Sequence, residues 1–144
     1  MKYSILSVIL GLSSFFFIGC AASGGGSTRA LGHMYQDSRG LTFINIFDTG
    51  TEAKGTSRTI GDGSSPRNLT LSQPEFEILW GRLDESKLTP YIVKNESDKF
   101  NGKENYVIMK GTMPGGATTY VVPKSKAPAG VKSWIEAFRR KTQS

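Results

Sequence analysis

One histidine, His33, and one cysteine, Cys20, occur in 144 residues, and that scarcity removes whole classes of chemistry. A zinc site needs several thiolate or imidazole ligands, a Cys-His nucleophile needs both partners, and a CxxC motif or intrachain disulfide needs a second cysteine. None of these can be assembled. Gly24, Gly25 and Gly26 stand without the lysine of a phosphate-binding loop or the helix of a dinucleotide fingerprint. Asp62, between Gly61 and Gly63, lacks the regularly spaced acids of a calcium loop. A Ser-His-Asp site would have to use His33 at the edge of a predicted tether, where nothing packed would orient the ring, so His33 is read as bland. The acids Glu75, Glu77, Asp84, Glu85, Glu96 and Asp98 fall at a helix start or in loops, where carboxylates are ordinarily solvated or paired with a helix dipole. No catalytic residue, metal or cofactor is expected.

What is present begins with an address. Met1-Lys2-Tyr3 carries one side-chain charge, and residues 5–18 (ILSVILGLSSFFFI) form an uncharged apolar stretch of fourteen. A membrane-spanning helix needs about 20 apolar residues, so this stretch suits the central region of a secretory signal. The window Phe17-Ile18-Gly19-Cys20 resembles the lipobox of bacterial lipoproteins, with Phe17 where leucine is usual. The resemblance implies cleavage before Cys20 by signal peptidase II, a diacylglycerol on its thiol and acylation of the new amino group. An independent argument agrees, because a lone thiol is anomalous in an oxidising compartment unless it is modified. Ordinary signal-peptidase cleavage near Ala21 or Ala22, leaving a secreted domain, is the alternative. Residues 21–31 (AASGGGSTRAL) hold too little apolar surface to offset ordering entropy and read as a leash spanning roughly 18 Å on average. The expected organisation is a signal peptide over 1–19, the lipidated cysteine and tether over 20–33, and one domain over 34–144.

Within that domain, residues 41–47 (LTFINIF) are β-branched and aromatic with a turn after them, which predicts a strand. Phe43 and Phe47 fall on one side and Ile44 and Ile46 on the other, so both faces are apolar and the strand is central or covered. The glycine-rich stretch 50–68 reads as loop with a short edge strand over 56–60, and 67–71 (RNLTL) as a second strand. Ser72-Gln73-Pro74-Glu75 fits the S-x-x-E capping box with proline in the first turn. Phe76, Leu79, Trp80 and Leu83 then recur at helical spacing, one apolar stripe facing a sheet, and the helix is expected to end near Leu88. Residues 105–110 (NYVIMK) and 118–122 (TTYVV), around Pro114-Gly115-Gly116, predict a hairpin. Val131, Trp134, Ile135 and Phe138 repeat the helical spacing. The order β-β-α-β-β-α predicts a small two-layer α+β domain, an antiparallel sheet with two helices on one face. Trp80, Trp134, Phe76 and Phe138 are read as core, and Tyr35, Tyr91 and Phe100 as loop aromatics.

The segments SQPEFEILWGRL (72–83), NYVIMK (105–110), TTYVVP (118–123) and GVKSWIEAFRR (130–140) resemble in their order the emfourin class of small bacterial protein inhibitors of thermolysin-like metalloproteases. That likeness implies strand, turn, strand, helix, hairpin and helix, and an inhibitory activity, but no inhibitory residue, because no signature of that kind is present.

Charge is unevenly placed. Residues 123–144 contain six lysines and arginines against Glu136, whereas acids and bases balance over 20–122. Lys132, Arg139, Arg140 and Lys141 are therefore a candidate basic patch for an anionic bilayer or an acidic envelope protein. The same residues also complement the negative end of a helix dipole. Nucleic acid is not an expected partner outside the cytoplasm. The sequence points to a membrane-anchored envelope lipoprotein whose domain binds without catalysis, with inhibition of a secreted metalloprotease as the alternative.

Overall fold

The computed structural model describes residues 27–93 and 102–143. Residues 1–19 (expected as a signal peptide), Cys20, residues 21–26, Glu96, Asp98 and Phe100 lie outside them. Six strands, β1 (Thr28–Asp37), β2 (Gly40–Asp48), β3 (Glu52–Ile60), β4 (Arg67–Ser72), β5 (Asn105–Met113) and β6 (Gly116–Pro123), make one antiparallel sheet in the order β4-β3-β2-β1-β5-β6. Two helices, α1 (Gln73–Arg82) and α2 (Ala129–Gln143), complete an α+β domain. The class is as expected, but the element order is β-β-β-β-α-β-β-α, two strands richer than the sequence pattern predicts.

The first addition corrects the tether. Residues 28–33 are the opening of β1, the strand at the centre of the sheet, and not part of a leash. Ala30 and Gly32 are poor strand formers, which is why local propensity misreads the segment. Pairing on both edges overrides it: Leu31 lies opposite Ile46 of β2 and Lys110 of β5, so the backbone groups along both edges enter ladders. The second addition is β3, predicted only as a short edge strand over 56–60. It runs the full length of β2 and lies inside the sheet, with β4 at the edge.

Gly55 of β3 has a steric role that its sequence does not announce. A Cβ there would sit 1.8 Å from the Asn45 carbonyl oxygen, against rigid backbone of the paired strand. Gly55→Ala is expected to lower the unfolding free energy by about 1–3 kcal/mol through overpacking. Urea denaturation checks this, and an unchanged midpoint would refute the close approach.

Alternation along each strand directs one set of side chains to the helices. Leu31, Tyr35, Ile44, Ile46, Leu69, Leu71, Ile108 and Val122 join Phe76 and Leu79 of α1 and Trp134, Ile135 and Phe138 of α2 in one buried core. Each large side chain buried there contributes about 1.5–3 kcal/mol. A smaller cluster, Met34 and Val107 with Leu41, Phe43 and Val121, uses the opposite parity of the strands. Both faces of β2 are thus apolar, as its sequence predicts.

The start of α1 follows the capping box. The Glu75 carboxylate accepts from the Ser72 backbone N–H and hydroxyl, each at 3.0 Å. The helix ends at Arg82, six residues short of Leu88. Asp84 accepts from the Ser86 N–H at 3.0 Å and starts a 3₁₀ turn over Glu85–Lys87, and a second turn covers Thr89–Tyr91. Short polar side chains that bond their own backbone compete with α-helix in this way.

Candidate functional site

Helix α2 lies with one stripe in the core, and the four basic residues singled out from the sequence leave it in different directions. Arg139 is half-buried against the sheet. Lys132, seven residues earlier, shares its flank of the helix but is exposed, and Arg140 is exposed a third of a turn away. Lys141 lies on the other flank, where its Nζ is 2.6 Å from Glu75 Oε1. This ion pair is the main reason the Glu75 carboxyl is pulled down to about 2. The four do not form one patch, and among them Arg139 alone is drawn in among aromatic rings. Cys20, the predicted lipidation site, is outside the described residues.

Cationic side chains on the helix-facing side of the sheet sit over aromatic rings in three clusters, and their partners separate the clusters. Arg29 of β1 stacks over Phe76 and Trp80, with its Cζ 5.2 and 5.3 Å from the ring centroids. Two carboxylates satisfy it: Asp48, at 2.6 Å from Nη2, and Glu77, which holds both Nη atoms. Lys110 of β5, over Trp80, donates to the Trp80 carbonyl at 3.0 Å and pairs with Glu85 at 3.1 Å. The Tyr120 hydroxyl donates to the same carboxylate at 3.2 Å. Both clusters are closed, and they fasten α1 and the 3₁₀ segment to the sheet.

The third is open. Arg139 lies with its Cζ 3.8 Å from the Tyr35 ring centroid, a close cation–π stack, and 5.9 Å from that of Tyr106. Its Nε donates to His33 Nε2 at 3.2 Å. Since His33 Nε2 accepts, its proton is on Nδ1, which donates to the Val107 carbonyl at 2.9 Å. His33 is fully buried, stacked on Tyr35 and met edge-on by Phe138. Burial first, and then the charge of Arg139, push its pKa down to about 3, so the ring is neutral. Lys124, at the end of β6, places its Nζ 5.4 Å from the Tyr106 centroid. Burial lowers the pKa of Arg139, and that of Lys124 falls through burial and the Arg139 charge. Among the described residues no carboxylate is within ion-pairing distance of either cation: Asp37, whose charge acts on Arg139, pairs directly with Arg39 at 3.1 Å, and the two Nη atoms of Arg139 have no hydrogen-bond acceptor.

The ring of His33 therefore serves this site by position. The sequence pattern places it as a bland residue at the tether edge, outside the core; the correction follows from β1 being the central strand, which carries Leu31, His33 and Tyr35 beneath α2. Tyr35 likewise is a buried strand residue and not a loop aromatic, while Tyr91 lies half-buried in a 3₁₀ turn. The period-two series Leu31-His33-Tyr35 is the one sequence signal that could have found them. Tyr106 and Lys124 carry no local signal of function.

Elsewhere, a groove of about 290 Å³ separates the end of α1 from the start of α2, but its charged lining residues, Arg82, Asp84 and Lys87, are exposed. Among the described residues no three acidic, histidine or cysteine side chains gather as metal ligands, and no helix is long and apolar enough to cross a membrane. No family model, no curated protein and no solved structure shows significant similarity to this chain.

Proposed function

We propose that this chain is a bacterial envelope lipoprotein: Cys20 is acylated, holds the protein on a membrane, and presents a non-catalytic binding domain. The observation that carries the reading is Gly19-Cys20 closing an apolar stretch in a chain with no other cysteine. The start of β1 at Thr28 supports it by keeping the domain close to the lipid. Eight residue steps separate Thr28 from Cys20, so the fold begins at most about 29 Å from the anchor. Two or more acyl chains make such an anchor firm, because each buried methylene contributes about 0.8 kcal/mol. Within the domain, the open cluster around Arg139 is the surface best suited to a partner, since partly buried cations with no directly paired carboxylate among the described residues favour an incoming anion.

Cys20→Ser in the native host, followed by acyl labelling and membrane fractionation, tests the anchor. The expected result is loss of label and release of the protein from membranes; full membrane retention of the serine variant would refute it. The alternative, inhibition of a secreted metalloprotease, has a separate assay: dose-dependent inhibition of a thermolysin-class protease by the purified chain would replace the partner-binding reading.

A further inference from the structure

We propose that Arg139 and Lys124, with Tyr35 and Tyr106 as its aromatic floor, form a binding site for a phosphoryl group, carried by a soluble phosphate or by a lipid headgroup. The inference concerns the ligand of the Arg139 cluster and is independent of acylation at Cys20.

Four observations lead there. The guanidinium is fixed in plane, stacked 3.8 Å above Tyr35 and held at Nε by neutral His33. That leaves the two Nη groups, the edge of the fork that grips paired oxygens, without an acceptor among the described residues. Lys124 brings a second cation to the Tyr106 ring that Arg139 also approaches. Finally, the other two cation–aromatic clusters of this sheet face are closed by Asp48, Glu77 and Glu85, so an open one is a departure from the molecule's own practice.

Charge selects the ligand class. One carboxylate would neutralise Arg139 and leave Lys124 unbalanced, whereas a phosphoryl group carries between one and two negative charges near neutral pH and offers three oxygens. A bidentate contact to Arg139 and a point contact to Lys124 fit that distribution. Binding relieves the repulsion between two partly desolvated cations, which gives it a driving force beyond simple ion pairing.

The test is titration of the full-length chain in detergent with inorganic phosphate at constant ionic strength, read by NMR on the Arg139 Nε–H and the tyrosine rings. Saturable shifts at these groups are expected, absent with chloride. Lys124→Gln leaves the Arg139–His33 bond in place and is expected to weaken binding about fivefold; Arg139→Lys, which keeps charge but loses the fork, is expected to weaken it about tenfold. Arg140→Gln is expected to stay within about twofold, and Cys20→Ser to bind as the parent does, which separates this inference from the anchoring proposal. Displacement of phosphate by phosphatidic acid in the detergent micelles, a lipid whose headgroup is a phosphomonoester, assigns the site to a lipid headgroup; retention of phosphate in its presence assigns it to a soluble ligand. No saturation with either probe, or equal response in the Lys124→Gln and parent chains, overturns the proposal.

Discussion

Lowering the pH from 7 to 5 is expected to reduce the unfolding free energy of the full chain by about 2 kcal/mol, and His33→Gln is expected to abolish that dependence. The sign follows from where the proton binds. In the unfolded chain His33 titrates near 6.5, whereas in the fold it titrates near 3. Between those values the unfolded state holds one more proton, so stability is complete above the unfolded pKa and is lost as pH falls through the window. The slope approaches about 1.4 kcal/mol per pH unit, and by pH 3 the loss is of order 4–5 kcal/mol. Geometry explains the resistance to protonation. Nε2 already accepts from Arg139, so a second proton would set donor against donor beside a fixed cation, on a ring that is fully buried. The charged groups facing the ring are Arg139 and, farther off, Lys124, and neither offers a compensating negative charge. The upper part of the window isolates this group, because the chain has no other histidine and its carboxyls titrate lower. Chemical denaturation at several pH values checks it; a parent chain that is flat between pH 7 and 5, or a His33→Gln chain with the parent's slope, would contradict the assignment.

Trp134→Ala is expected to cost about 3–5 kcal/mol, a large fraction of the 5–15 kcal/mol that ordinarily separates a folded domain from its unfolded chain. Trp134 is 2% exposed and stacks on Phe138 with centroids 4.8 Å apart. Its indole N–H donates to the Leu79 carbonyl at 2.7 Å, which joins α2 to α1 across the core. Truncation opens a cavity beneath both helices and removes this tie at once. Trp134→Phe keeps most of the ring volume and loses the hydrogen bond, with an expected cost of about 1–2 kcal/mol. A urea midpoint shift that is equal for the two variants, or a shift below about 1 kcal/mol for alanine, would show that α2 is not anchored in this way.

Much of this architecture is written in short-range pattern. The capping box at Ser72 and Glu75, the two i, i+3, i+4, i+7 stripes and the hairpin around Pro114-Gly115 depend on residues a few positions apart, and all three appear where the spacing puts them. The end of α1 was harder, because Asp84 and Ser86 settle it through local side-chain bonds that hydrophobic periodicity does not register. The candidate site was the least legible part. The basic character of residues 132–141 was visible, but only packing turns Arg139 toward His33, sends Lys141 to Glu75 and leaves Lys132 and Arg140 in solvent.

Local chemistry along the chain determines the apolar stretch that precedes Gly19-Cys20, both helices, strands β2, β4, β5 and β6, and the α+β class, since each rests on composition, periodicity, capping or turn residues that neighbours supply. Tertiary pairing decides the rest. Strand β1 exists because β2 and β5 satisfy its backbone from both sides, and with it come the burial of His33 and the Tyr35 platform for Arg139. Contacts between residues more than a hundred positions apart, such as His33 with Arg139, leave no periodic trace in either segment, so only the folded sheet brings them together.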